Sequence, residues 1–196
     1  MKIRLTESKL RQIVNESIKK ILKENDIASN NITPEQVLEI INNAINVNDV
    51  EVVDDHLECT TDFYEQFETR IWRVDFEGEL WIGFYGEENT AVHVQVNVDV
   101  WLDLADDEDV DYQKQTVVEV NNIGAIEFYD GKTYTPINMG NMLNQVNEII
   151  NSDIVNERLV FDVSYIIEKI INKRYEEYQG YLDNETTKKI DAHRGK

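Results

Sequence analysis

Cysteine and proline are almost missing from this chain. Of 196 residues, one is Cys, at position 59, and two are Pro. A lone cysteine excludes an internal disulfide, so no covalent framework holds the fold. Scarce Pro, together with only eight Gly, argues for an interior of regular elements rather than coil. No apolar run is long enough to span a bilayer. The basic start of the chain is not followed by a continuous apolar stretch, so no secretory signal is expected. Phosphate-cradling glycine loops, the Gly-x-Ser-x-Gly elbow and the metalloprotease helix motif are all lacking. His56 and Cys59 have His-x-x-Cys spacing, but only His93 and His193 remain to complete a zinc shell. A zinc site needs about four such ligands. The pair therefore reads as a strand-edge His and a buried Cys, and neither a metal nor an organic cofactor is expected.

Negative charge is what the chain has in excess. Asp and Glu number 39 against 19 Lys and Arg, for a net charge of −20. The distribution is uneven. Residues 1–24 carry seven basic side chains against Glu7, Glu16 and Glu24, a net +4, which leaves −24 on the rest. An acidic body repels nucleic acid and anionic membranes and attracts basic partners. The hydrophobic share of 41% is enough for a real core and too high for a disordered chain.

Hydrophobic periodicity divides the chain into four parts: a basic amphipathic helix at 1–24, a linker at 25–32, an acidic domain at 33–182 and a polar, fraying tail at 183–196. Thr6 is placed to cap the first helix, with Leu5 and Leu10 as a hydrophobic staple. Leu10, Ile13, Val14, Ile18, Ile21 and Leu22 form its single apolar stripe. Thr33, Pro34 and Gln36 spell a second helix start, with a cap, a first-position proline and a capping box. From Val50 the period falls to two. Val92 through Leu104 alternate with polar residues, as a half-buried strand does. Trp72, Val74 and Phe76 precede Gly78, and Leu80, Ile82 and Phe84 follow it, which predicts a hairpin at Gly78 with Phe76 opposite Leu80. Residues 121–124 read as a bulge, and Asp130-Gly131 as a two-residue hairpin loop. After Pro136 the helical period returns. Strands grouped between helices predict an α+β fold: an antiparallel meander with helices packed on one face, preceded by the separate N-terminal helix.

Two side-chain groups stand out within the body. Asp103, Asp106, Asp107, Glu108, Asp109 and Asp111 make the densest acidic cluster, but they lack the glycine and spacing of a calcium loop and read as a solvated hairpin tip, with adventitious divalent-cation binding as the alternative. Trp81, Tyr85 and Trp101 fall on the face opposite the apolar one. They are either a partner-binding aromatic face or a second core layer under a helix or loop. His93 and Asp99 share that face without a nucleophile to make an enzyme of it.

The opening segment adds a resemblance. Leu5-Thr-Glu-Ser8, Leu10, Ile13-Val14, Glu16-Ser-Ile18 and Lys19-Lys-Ile-Leu22 resemble a leader helix shared by many otherwise unrelated proteins of gut Bacteroides phages, the crAss-like group above all. The likeness covers residues 3–24. It implies a shared address, and with it a location in the bacterial cytoplasm or on the virion. The expected function is a non-enzymatic phage accessory, structural or cargo protein, docked to a protein partner through Leu10, Ile13, Val14, Ile18, Ile21 and Leu22; the other places for such a stripe are an anionic membrane and the protein's own acidic body. The alternatives are an acidic mimic of DNA that occupies a nucleic-acid-binding protein, and an enzyme of unrecognised type. The acidic body itself is not expected to bind nucleic acid.

Overall fold

The computed structural model describes residues 32–61, 73–103 and 111–194. The expected N-terminal helix and its stripe lie outside the described residues. So do most of the linker, Trp72, and residues 104–110 of the acidic cluster.

The first described element is α1 (Pro34–Val47). Both arms of its capping box are present: the Gln36 amide donates to Thr33 Oγ1 at 3.4 Å, and the Thr33 amide donates to Gln36 Oε1 at 2.9 Å. Asn48, left-handed at φ 57°, ends it, as Asn does more readily than other side-chain-bearing residues. Val37, Leu38, Ile41 and Ala44 bury one stripe.

Five strands follow: β1 (Val50–Cys59), β2 (Arg73–Tyr85), β3 (Ala91–Asp103), β4 (Thr116–Tyr129) and β5 (Tyr134–Pro136). Their order in the sheet is their order in the chain, and every pairing is antiparallel. This is the α+β meander that the periodicity predicts. Two bulges in β4, at Asn121 and Gly124, fall inside the expected break.

Two local expectations fail. There is no hairpin at Gly78, because β2 runs unbroken through it. Val74, Phe76, Leu80, Ile82 and Phe84 share one face simply because all are even-numbered in one extended strand. The glycine is needed for another reason. A Cβ at Gly78, whose φ is +156°, would lie 2.1 Å from the His56 carbonyl oxygen. The second failure is at Asp130-Gly131. The loop spans 130–133, so Tyr129 pairs with Tyr134. The Asp130 carboxylate accepts from the amides of Lys132 at 2.9 Å and Thr133 at 2.8 Å, which fixes the longer turn.

One face of the sheet is covered. A single helical turn, α2 (Tyr112–Gln115), precedes β4, and α3 (Leu143–Ile150) and α4 (Asp153–Arg194) follow β5. Val155, Leu159, Val163 and Ile167 of α4 recur every four residues and are buried, as on one helix face. They join Leu80, Ile82, Phe84, Val92, Val94 and Val96 in one core. Asp162 ties helix to sheet: its carboxylate accepts from the Val52 amide at 2.9 Å and pairs with Arg158 at 3.1 Å. Val52 sits where β1 bulges against β2. The polar tail expected from 183 is instead part of α4, which is helical through Arg194. No Pro interrupts it, and Gly180 is its only glycine. No helix among the described residues is long and apolar enough to cross a membrane.

Candidate functional site: the open acidic face and its tyrosine cleft

The other face of the sheet carries the alternate residues of each strand. Its register places carboxylates abreast. Glu58 pairs with Glu77, Glu77 with Asp99, and Asp99 with Glu119, so four acidic side chains on four strands form one row. All four are exposed. Facing like charges on adjacent strands repel. Asp54, Glu79 and Glu127 extend the acidic surface on the same face. Among the described strand residues of this face, the one Lys or Arg is Arg73. It is engaged, bonded to Asp75 at 2.6 Å and stacked 4.6 Å above the Trp101 ring.

The aromatic residues picked out from sequence do share this face, and all three are half-buried, but they do not form one patch. Trp101 pairs with Asp75, six positions along β2 from Trp81, or about 20 Å at the rise of a strand. Trp81 sits between Asp54 and Gln95. Among the described residues, Tyr85 is the one of the three that lines a cleft with other rings, those of His93, Tyr129 and Tyr134. The Tyr129 and Tyr134 rings lie 4.7 Å apart, and His93 is 5.1 Å from Tyr134.

These rings line a cleft of about 900 Å³, together with Asp49, Glu51, Gly86, Asn89, Thr90 and Gly131. The Tyr85 hydroxyl donates to Glu51 Oε1 at 2.6 Å. Burial, and then that bond and charge, push the Tyr85 phenol up to about 12, so it remains a donor. Burial pushes His93 below its ordinary value, with Glu127 pulling the other way, which keeps the imidazole neutral at pH 7. At the rim, Glu88 and Asn89 are both left-handed, with φ of 55° and 62°. Such backbone costs free energy and recurs at ligand clamps.

This arrangement suits binding. The Thr90 hydroxyl is committed to the Glu87 carbonyl at 2.7 Å. Cys59 pairs with Phe76 and therefore lies on the covered face, opposite His56, which pairs with Glu79. Residues three apart in a strand point opposite ways, so the His-x-x-Cys pair cannot share a metal. Burial also pushes the Cys59 thiol up. Among the described residues no group of three His, Cys, Asp or Glu is placed to hold a metal ion. Asp111, at the end of the acidic cluster, caps α2 and pairs with Lys114 at 2.6 Å. Sequence reasoning overlooked Tyr129 and Tyr134. Their alternation with Phe128 and Thr135 placed them on the open face, and only the loop length hid their pairing. No family model, curated protein or solved structure matches the chain.

Proposed function

We propose that the protein is a non-enzymatic phage accessory or cargo protein whose open sheet face docks on a basic surface of a partner protein. The basic N-terminal segment, which resembles a phage leader helix, is its second attachment. The row Glu58–Glu77–Asp99–Glu119 carries this reading. Packed abreast, these charges repel one another in the free protein, and a cationic partner relieves the repulsion. The same field speeds the approach of a basic partner and fades as salt rises. Strands spaced about 4.8 Å apart set the carboxylates at a separation that interleaved Lys and Arg side chains can match. A nucleic-acid-binding protein is one such partner, and competition by duplex DNA at low salt identifies that case.

The test uses the full chain and a Lys/Arg-rich decapeptide. Binding is expected at low salt, and it falls at least tenfold when Glu58, Glu77 and Glu119 become Gln and Asp99 becomes Asn. A control neutralises the exposed Glu39, Glu148, Glu157 and Glu176 and removes the same charge from the helices. If the control loses as much affinity, net charge alone is responsible and the reading falls. Deleting 1–24 is expected to abolish co-purification with phage particles while the body stays folded. Unchanged association would remove the leader from the proposal.

A further inference from the structure

We infer that the cleft between Tyr85 and the Tyr129–Tyr134 pair is a site for an organic cation, the guanidinium or ammonium head of a partner's Arg or Lys side chain. This rests on the basic-partner reading and locates its anchor. The first support is the character of the lining. Three tyrosine rings and an imidazole meet two carboxylates, Asp49 and Glu51, and among the described residues no Lys or Arg lines the cleft. Aromatic faces attract cations through their ring quadrupoles, more strongly where water is excluded. Glu51 supplies a full charge at the same place. Its Oε1 is held by the Tyr85 hydroxyl, which orients the carboxylate. Among the described residues, its other oxygen has no hydrogen bond.

The second support is size and construction. About 900 Å³ lies within the range of small-ligand sites, with room for a long side chain and its flanking backbone. The two rim turns sit against each other: a Cβ on Gly131 would be 3.6 Å from the Asn89 carbonyl oxygen. One of them holds two consecutive left-handed residues. The walls come from all five strands, so the sheet itself fixes the spacing of rings and carboxylates. Tyr134 is 52% exposed, an aromatic face presented to solvent at the mouth.

The experiment titrates the full chain with N-acetyl-arginine amide, using the neutral isostere N-acetyl-citrulline amide as the control, and follows aromatic NMR shifts. Saturable binding of the arginine probe is expected, with shifts confined to Tyr85, His93, Tyr129 and Tyr134. Citrulline should bind at least tenfold more weakly. Tyr134→Leu and Glu51→Gln should each weaken the arginine probe at least fivefold while the remaining spectrum is unchanged. Equal shifts with citrulline, or full binding by folded Tyr134→Leu, overturn the inference. The quadruple variant of the acidic row separates the two proposals. Arginine-probe affinity within twofold of the parent there supports the cleft as a distinct site. Loss equal to that of the decapeptide overturns it and leaves the acidic face standing.

Discussion

The two faces of this sheet are made by the same strands and obey opposite rules. Along β3, Val92, Val94, Val96, Val98, Val100 and Leu102 are buried, while His93, Gln95, Asn97, Asp99 and Trp101 face the other way. The covered face is what stability demands: apolar area removed from water under helices. The open face is not. A row of like charges on adjacent strands works against the fold, while the aromatic corner of the same face is half-buried and paired across strands. The difference teaches where to look for function, since composition dictated by packing says little about a partner, and composition that opposes stability says more.

The comparison breaks most visibly from the covered side. Phe84→Ala is expected to cost about 3–5 kcal/mol, read as a lower urea midpoint at unchanged slope. Val117→Thr, on the open face and 38% exposed, should stay within about 0.5 kcal/mol. Asp162→Ala comes next. It strips the Val52 amide and Arg158 of their shared acceptor and should cost about 1–3 kcal/mol. Gly78→Ala follows, at more than about 1 kcal/mol, and hydrogen exchange should quicken first in β1, the strand its methyl group displaces. Glu77→Gln should act with the opposite sign. Removing the middle of the acidic row stabilises by about 0.2–1 kcal/mol, and the gain should shrink in salt. The same stability gain at high salt would refute the repulsive row.

The smallest effect belongs to His93 and to pH. Burial holds its folded pKa below the ordinary value near 6.5, so the unfolded chain takes up the proton more readily. The stability due to neutral His93 is therefore complete above the unfolded pKa. It declines as pH falls through that value and levels off below the folded one. Urea midpoints between pH 7.5 and 5 should fall less steeply in His93→Gln than in the parent. Parallel slopes would assign the dependence to other groups.

Much of this was legible in the sequence, because the covered face repeats its signal. Thr33, Pro34 and Gln36 announce α1 through contacts three residues apart, and five valines and Leu102 announce the burial of β3 six times over. What was hidden depends on partners distant in the chain. Gly78 between two apolar runs reads as a turn. The His56 carbonyl that requires it belongs to β1, and no local pattern reports that. At Asp130 a side chain captures two amides and lengthens a loop that the dipeptide alone makes shorter. That shift of two residues is what brings Tyr134 opposite Tyr129. Trp81 and Trp101 were correctly placed on one face, but their separation is a matter of register, which periodicity leaves open. The cleft draws on five strands and so had no linear signature.

The bond from the Val52 amide to Asp162 has a consequence for crowding. β1 is an edge strand, and an edge with free amides recruits other edges. Here one amide at the bulge is already answered from the helix behind it, and exposed Glu51, Asp54, Asp55 and Glu58 line the rest. Two copies that met edge to edge would have to surrender that bond and bring two acidic borders into register. The opposite edge, β5, is three residues long and ends in Pro136, which has no amide hydrogen to offer. Joining of two copies edge to edge is therefore disfavoured at both borders of the sheet.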